Sequence, residues 1–128
     1  MIEGLSHITF VVSDLERSAR LIVEVLGGEQ VHARPGDRFF VAGGLWLALV
    51  EGERPPGLSY DHVAFKVPPG ALDGYRRRVE ALGLEVTQSR PRVPGEGDSL
   101  YFHDWDGHLF ELHTGTLEER LAAYRAKP

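Results

Sequence analysis

A pattern of about sixty residues occurs twice along the chain, and this duplication limits the possible folds more than any other feature. Each half begins with a histidine followed by β-branched and aromatic residues, HITFVV at 7–12 and HVAFKV at 62–67, which is typical of a buried strand. A helical stripe ending at glycine follows, and each half closes with a hairpin around a glycine turn. The duplication predicts an α+β fold of two β-α-β-β-β modules with mixed sheets that form a cleft.

The boundaries of these modules follow from turn and capping residues. We expect a single domain over 1–128, with a first module over about 1–52, a linker over about 53–59, a second module over about 60–115 and a C-terminal helix over about 116–126. The linker contains Pro55-Pro56-Gly57, which interrupts regular structure. The motifs Ser13-Asp14-Leu15-Glu16 and Thr116-Leu117-Glu118-Glu119 are capping boxes that predict the start of the first and the last helix.

Composition excludes several classes of protein. The 128 residues contain no cysteine, which excludes disulfides, thiolate metal sites and a cysteine nucleophile. The net charge of −5 argues against nucleic acid as the main partner, because phosphate backbones need clustered Lys and Arg. No apolar run reaches the roughly 20 residues that span a bilayer, and the first residues, Met1-Ile2-Glu3-Gly4, lack the bases of a secretory signal. We therefore expect a cytoplasmic protein without a membrane or nucleic-acid partner.

Two histidines and one glutamate form a candidate metal site. When the two hairpins are aligned on their glycine turns, Glu111 falls opposite Ala48 in an otherwise apolar strand, where a carboxylate is costly unless it is paired or metal-bound. His7 and His62 begin equivalent strands, so they would meet if the modules pack about a pseudo-twofold axis. Such a set suits a divalent ion that activates substrate or water. The alternative is that the histidines are hydrogen-bonded core residues and Glu111 pairs with an arginine.

Further candidates surround this set. Strand alternation puts Thr9 on the same face as His7 and Trp46 on the inner face of its own strand, where both also suit ordinary packing. The segment 90–99 combines arginines, glycines and a serine, which suits phosphate or phosphonate oxygens, although many surface loops have this composition. The remaining histidines, His32, His103, His108 and His113, are expected at the surface or behind the metal ligands.

Five motifs together resemble a known family. They are GLSHIT at 4–9, YDHVAF at 60–65, GEGDSLYF at 95–102, GHLFELH at 107–113 and GTLEERL at 115–121. These motifs cover nearly the whole chain and are similar to those of the fosfomycin resistance enzymes of the vicinal oxygen chelate superfamily, whose fold is shared with glyoxalase I. The resemblance implies that His7, His62 and Glu111 bind Mn(II), with His7 contributed by the partner chain of a domain-swapped homodimer.

The same resemblance implies how the antibiotic is held. Its expected contacts are Thr9, Trp46, Ser99, Tyr101 and Arg120, and Arg92 is expected to join the last three in gripping the phosphonate. Some members bind K⁺ in the loop that corresponds here to Gly95, Glu96, Gly97 and Ser99. The metal would hold the phosphonate and the epoxide oxygen and act as a Lewis acid on the strained C–O bond.

The nucleophile differs among branches of this family, which use glutathione (FosA type), cysteine or bacillithiol (FosB type) or water (FosX type). The Arg90-Pro91-Arg92-Val93 run and the GTLEER ending resemble the water-using branch, whose general base is a Glu just before an aromatic pair. Here Asp37 precedes Phe39-Phe40 and is one methylene shorter, and the segment 32–38 is closer in length to the glutathione branch.

Our hypothesis from the sequence is a Mn(II)-dependent hydrolase that opens the epoxide of fosfomycin with water. In this hypothesis Asp37 is the general base and Thr9 lies near the opening oxygen. The alternatives are transfer of glutathione or another thiol cosubstrate to fosfomycin, an extradiol-type dioxygenase with Fe(II), and a non-catalytic drug-binding protein of the same fold.

Overall fold

The computed structural model describes residues 1–54 and 57–126, so Pro55 and Pro56 of the predicted linker lie outside the described residues. The chain divides into two compact units, Met1–Pro56 (unit 1) and Gly57–Pro128 (unit 2). Each unit has the order β-α-β-β-β, and a helix follows the last strand of unit 2. The predicted α+β class with two such modules is confirmed.

Unit 1 is a four-stranded mixed sheet with one helix. Its elements are β1 (His7–Val12), α1 (Leu15–Arg20), β2 (Glu29–Arg34), β3 (Asp37–Ala42) and β4 (Leu45–Glu51). The strand order is β1-β4-β3-β2, in which β1 runs parallel to β4 and the other pairs are antiparallel. Phe40, Leu47 and Leu49 on one face are buried, whereas His7 and Trp46 on the other face are exposed. We call the second face the open face of unit 1.

The helix of unit 1 differs from the prediction at its start and in the form of its last turns, while it ends before Gly27 as predicted. Its N-cap is Asp14, whose carboxylate accepts the backbone N–H of Arg17 at 3.0 Å; the capping box that places Ser13 at the cap is therefore wrong by one residue. After α1 the chain continues in π-helical turns over Leu21–Val25. The backbone N–H of Leu26 reaches the carbonyl of Leu21 at 3.3 Å, which is the five-residue spacing of a π-helix.

Unit 2 repeats this plan and adds a helix. Its elements are β5 (His62–Lys66), α2 (Leu72–Ala81), β6 (Val86–Thr87), β7 (Ser99–His103), β8 (Leu109–His113) and α3 (Leu117–Ala126). The strand order is β5-β8-β7-β6, with β5 parallel to β8. Thr116 and Glu119 cap α3 reciprocally, each side chain accepting the other residue's backbone N–H at 2.9 and 3.1 Å, as the capping-box motif predicts.

Strand register makes three strands of each sheet equivalent, β1-β4-β3 in unit 1 and β5-β8-β7 in unit 2. In unit 1, Thr9 lies opposite Ala48, and in unit 2, Ala64 lies opposite Glu111. Glu111 therefore holds the position that Ala48 holds in the first sheet, as the alignment of the hairpins predicts. No helix within residues 1–54 and 57–126 has the length and hydropathy that crossing a membrane requires.

Candidate functional site

His62 and Glu111 are directly adjacent in unit 2. The Nε2 atom of His62 lies 3.0 Å from Oε1 of Glu111, and the glutamate side chain is only 5% exposed. The Nδ1 atom of His62 is 2.7 Å from the carbonyl of Tyr60. Because a carbonyl only accepts hydrogen bonds, Nδ1 carries the hydrogen and a neutral His62 turns its Nε2 lone pair toward the carboxylate.

Two facing lone pairs need a cation between them, either a proton on Nε2 or a metal ion. A hydrogen bond from the second ring nitrogen to a backbone carbonyl is the usual way that proteins orient a metal-binding histidine. Adjacent ligand atoms of an octahedral ion at about 2.1 Å stand about 3 Å apart, which agrees with the His62–Glu111 separation. The pair therefore fits a divalent metal with nitrogen and oxygen ligands.

The third predicted ligand, His7, lies in β1 of unit 1. Its ring stacks on the indole of Trp46 with centroids 4.1 Å apart, and its Nδ1 lies 3.0 Å from the hydroxyl of Ser6. Within residues 1–54 and 57–126, no group of three or more His, Asp or Glu side chains is arranged to hold a metal ion. The structure thus brings together two of the three predicted ligands and shows the third exposed on the open face of unit 1.

The other oxygen of Glu111 is held by a directional hydrogen-bond chain. The hydroxyl of Ser99 donates to Oε2 of Glu111 at 2.5 Å, so its oxygen must accept from Nδ1 of His113 at 2.6 Å. The Nε2 atom of His113 lies 3.4 Å from the Arg120 guanidinium. Burial lowers the pKa of His113, which keeps the imidazole in the neutral form that this chain requires.

This hydrogen-bond chain keeps Glu111 ionised. Burial alone would raise the pKa of Glu111, but the hydrogen bonds from Ser99 and Tyr101 outweigh it, and the pKa lies below its ordinary value. An ionised carboxylate is the form that binds a metal. His113, expected at the surface or behind the ligands, is in fact buried in this chain; its spacing of two residues from Glu111 on β8 was the available signal.

Arg92 and Tyr101 stand next to the same carboxylate. One guanidinium nitrogen of Arg92, NH2, lies 3.3 Å from the Tyr101 hydroxyl and 3.5 Å from Oε2 of Glu111. The other, NH1, is buried and has no hydrogen-bond acceptor in the described part of the chain, although Glu96 is 3.5 Å away. A buried N–H without an acceptor is costly. Burial raises the pKa of the Tyr101 phenol, so this hydroxyl remains a donor.

Glu96 is the fully buried centre of the arginine cluster. Its carboxylate accepts two hydrogen bonds from Arg90, at 2.7 and 3.2 Å, and one from the backbone of Val93 at 2.6 Å. These bonds lower the pKa of Glu96 to about 2. Arg92 and Arg120 lie 3.5 and 3.7 Å from Oε1 of Glu96. The Glu96 carboxylate therefore holds both of these predicted phosphonate ligands in position.

The glycines of this loop allow close backbone packing. A Cβ on Gly115 would stand 2.3 Å from the carbonyl oxygen of Glu96, and a Cβ on Gly97 would stand 2.7 Å from the backbone nitrogen of Gly115. Gly97 also has φ +92°, which favours glycine. Because neither glycine has a side chain, the loop that contains Gly97 lies directly against the segment before α3. Helix α3 carries Arg120.

The residues predicted in unit 1 lie on its open face. Thr9 is exposed, and Trp46, which is 38% exposed, lies beside His7. Trp46 therefore lies on the same face of the sheet as His7 and is not part of the hydrophobic core. Phe39 packs edge-on against Trp46 at 5.2 Å. The open face is therefore lined by aromatic rings around His7.

Asp37, the predicted base, already has strong partners. Arg34 donates to both carboxylate oxygens at 3.0 and 2.9 Å, and Nε2 of His32 lies 3.1 Å from Oδ1. The hydrogen bond from Arg34 lowers the pKa of Asp37. A carboxylate with a lowered pKa is a weaker proton acceptor. His32, expected as a surface or supporting residue, is half-buried and bonded to Asp37.

The chain is similar to known proteins both in sequence and in structure. A model described as "Glyoxalase/Bleomycin resistance protein/Dioxygenase superfamily" matches residues 4–112. The fosfomycin resistance protein FosX of Mesorhizobium japonicum is 49% identical over 129 residues, covering 95% of this chain and 93% of the relative. The metallothiol transferase FosB of Staphylococcus haemolyticus is 35% identical, covering 100% of this chain and 96% of the relative.

A solved structure is similar over almost the same length. It is a variant of FosX from Listeria monocytogenes complexed with Mn(II) and 1S,2S-dihydroxypropylphosphonic acid. The TM-score is 0.92 at 44% sequence identity, and the match covers 97% of this chain and 99% of that chain.

Proposed function

Because the chain belongs to the Glyoxalase/Bleomycin resistance protein/Dioxygenase superfamily and, within it, to the FosX fosfomycin resistance proteins, we propose that it inactivates fosfomycin by adding water to the epoxide. The observation that carries this proposal is the ligand of the Listeria relative, a dihydroxypropylphosphonic acid bound with Mn(II). A vicinal diol is the product of opening an epoxide with water, whereas a thiol would leave a thioether.

The proposed metal ligands are His62 and Glu111 together with the partner subunit's His7. The facing lone pairs of His62 and Glu111 support the first two. Mn(II), when bound, would polarise the C–O bond of the epoxide as a Lewis acid. The exposure of His7 on the open face of unit 1 is compatible with a role in a second copy of the chain, and the homodimer is part of the proposal.

Arg92 and Arg120, with Ser99 and Tyr101, are the proposed ligands of the phosphonate. The support is the buried N–H of Arg92 without an acceptor and the fixed position of both guanidinium groups beside Glu96. Charge-assisted hydrogen bonds from arginine to phosphonate oxygens are strong and directional. Trp46 and Thr9 are proposed to line the pocket, with Thr9 near the opening oxygen.

The proton acceptor is proposed to lie in the Asp37 cluster. Asp37 as the general base remains a prediction. Because Asp37 is hydrogen-bonded to Arg34 and His32, we call these three residues the Asp37 cluster.

The K⁺ site at Gly95, Glu96, Gly97 and Ser99 also remains a prediction. Since Arg90 occupies the Glu96 carboxylate, K⁺ would have to use other oxygens of this loop. A cytoplasmic location is likewise proposed.

Thiol transfer is the second candidate, because FosB relatives are 35% identical over the full chain. The FosX relatives are more similar, at 44–49% identity, which favours water. The dioxygenase and drug-binding alternatives have no comparable support among these relatives.

The deciding experiment identifies the product. Purified protein is incubated with Mn(II) and fosfomycin, with and without glutathione, cysteine or bacillithiol. The products are identified by mass spectrometry. We expect the diol in every sample, at a rate that the thiol does not change. A thiol adduct without diol would refute hydrolysis, and recovery of intact fosfomycin from a stable complex would indicate sequestration. Parallel samples with KCl or NaCl test the K⁺ prediction.

A further inference from the structure

We propose that His32, oriented by Asp37, is the group that accepts the proton of the attacking water, and that Asp37 is a positioning residue rather than the base. This inference rests on the proposed hydrolase function and names the proton acceptor for that reaction. It is carried by the geometry of the β2–β3 hairpin, which brings His32, Arg34 and Asp37 into one hydrogen-bonded cluster.

The first argument is that the carboxylate of Asp37 already has strong hydrogen-bond donors on both oxygens. Three donors converge on it: the Nε atom of Arg34 at 3.0 and 2.9 Å from its two oxygens, the NH2 atom of Arg34 at 2.9 Å, and His32 at 3.1 Å. A water molecule that needs a base would have to compete with these donors, which hold the negative charge of the carboxylate. The side chain of Asp37 is also only 13% exposed.

The second argument concerns the tautomer of His32. An ionised carboxylate only accepts hydrogen bonds, so Nε2 of His32 must carry the hydrogen that it donates to Asp37. The lone pair of the neutral ring is then on Nδ1. No hydrogen bond to this Nδ1 atom occurs within residues 1–54 and 57–126. The His–carboxylate arrangement, with one nitrogen bonded and the other free, is how general-base histidines are oriented.

The third argument is location. The ring of His32 packs on Phe39 with centroids 4.6 Å apart, Phe39 packs on Trp46 at 5.2 Å, and Trp46 stacks on His7 at 4.1 Å. This row of four rings crosses the open face of unit 1 from β2 to β1. His32 therefore shares a face with the proposed metal ligand His7. Its side chain is 36% exposed, so water can reach it.

The proposed step balances as follows. An oxygen lone pair of water forms a bond to an epoxide carbon while the C–O bond of the ring breaks, and its electron pair stays on the epoxide oxygen. The proton lost by the water goes to Nδ1 of His32, and the charge of Asp37 stabilises the resulting imidazolium. The oxygen released from the ring then takes up a proton, and His32 returns its own to solvent. The sum is one epoxide plus one water giving one diol.

The dyad also explains how a shorter carboxylate can serve in this position. Asp37 is one methylene shorter than the Glu of the water-using branch, and the imidazole of His32 extends the proton-accepting group beyond the carboxylate. The nitrogen that would contact water is then on the opposite side of the ring from Asp37.

The test uses His32→Gln, whose side-chain amide can still donate to Asp37 and has no basic lone pair. General-base catalysis is worth about 10²–10⁴-fold, so we expect kcat for diol formation to fall at least about 100-fold. The KM for fosfomycin and the affinity for Mn(II) should remain within about threefold. Arg20→Gln, which changes an exposed ion pair with Glu24 on the helix of unit 1, is the matched control and should retain activity. A His32→Gln variant with a third or more of the normal kcat would overturn the proposal, as would an equal loss of metal binding.

A second measurement needs no active-site variant. Long-range ¹H–¹⁵N spectra of the wild type, with diamagnetic Mg²⁺ in place of Mn(II), report which nitrogen of each neutral histidine carries hydrogen. We expect the Nε2–H form for His32 and a loss of this preference in Asp37→Ala. The Nδ1–H form in the wild type would refute the dyad. If the wild type makes no diol, the proposed function fails instead, while a diol made equally well by His32→Gln removes only the dyad.

Discussion

The sheets of the two units have the same register and carry different chemistry. At the central position of the last strand, unit 1 has Ala48 between Thr9 and Phe39, and unit 2 has Glu111 between Ala64 and Tyr101. The first position is small and apolar beneath exposed rings, and the second is a buried carboxylate with five polar neighbours. A duplicated backbone can thus support two unlike surfaces, because strand pairing depends on main-chain hydrogen bonds and leaves the side chains free to differ.

The two units also stabilise their charges differently. In unit 1, the charge of Asp37 is balanced by Arg34, which is 66% exposed. In unit 2, Glu96 is fully buried and bound by arginine, tyrosine and backbone donors. A buried charge survives only with a complete set of partners, so the arginines beside Glu96, which include the proposed phosphonate ligands Arg92 and Arg120, are held in place by the protein itself.

The largest expected effect comes from neutralising Glu111, the proposed metal ligand of unit 2, whose equivalent in unit 1 is the apolar Ala48. Glu111→Gln removes the anionic oxygen that faces His62. Residues that only support a metal ligand are worth 10–100-fold, so loss of a ligand should lower Mn(II) affinity and diol formation by more than about 100-fold. Isothermal titration and the mass assay measure the two. Ala48→Ser, at the equivalent position of unit 1, should change both by less than about threefold; unchanged affinity in Glu111→Gln would remove this residue from the metal site.

The next effect tests the buried charge of unit 2. Glu96→Gln should raise the KM for fosfomycin about 10-fold, because one hydrogen bond to a charged group is worth about that much, with a smaller change in kcat. Steady-state kinetics at saturating Mn(II) measures this split. A loss confined to kcat would contradict the proposed role of Glu96 in holding Arg92 and Arg120.

The same substitution predicts a pH dependence of stability. The pKa of Glu96 falls from 4.5 to about 2 on folding, so its contribution is fully present above pH 4.5 and is lost as pH falls toward 2. The difference in unfolding free energy between wild type and Glu96→Gln should therefore be constant near neutral pH. It should become smaller as the pH falls from 4.5 to 2. Urea denaturation over this range measures it. Glu24→Gln, in an exposed ion pair, should show no comparable dependence.

The smallest effect concerns the helix start of unit 1. Asp14→Ala removes the N-cap hydrogen bond to Arg17 and should lower the free energy of unfolding by about 1 kcal/mol. Ser13→Ala, at the residue that the capping-box motif indicates, should cost less than about 0.5 kcal/mol, as for other surface positions. Chemical denaturation of both variants gives the comparison, and a larger effect at Ser13 would reverse it.

Much of the fold was predictable because its signals are local. The β-branched and aromatic runs of β1 and β5, the glycine turns and the Thr116–Glu119 capping box depend on neighbouring residues only. The π-helical turns over Leu21–Val25 and the shift of the cap to Asp14 were not predictable in this way. Both depend on how the helix fits its sheet, since tertiary packing can override a local preference.

The candidate site was predictable in its residue types and less so in its connections. Glu111 stood out as a carboxylate in an apolar strand, and the structure brings it to His62. The parts that the sequence missed are linked by long-range hydrogen bonds, such as Glu96 to Tyr124 and Ser99 to His113. These partners lie 28 and 14 residues apart, so no spacing rule joins them.

The amino-acid sequence by itself determined the duplicated plan, the residue types of the candidate metal site and the absence of any thiol from the chain. Only the tertiary structure decided which ring nitrogen of His62 faces Glu111 and which carboxylate holds the arginines. It also decided that Asp37 is already hydrogen-bonded to Arg34 and His32. The physical reason is that residue identity and periodicity are encoded along the chain, whereas the direction of each hydrogen bond depends on side chains that only folding brings together.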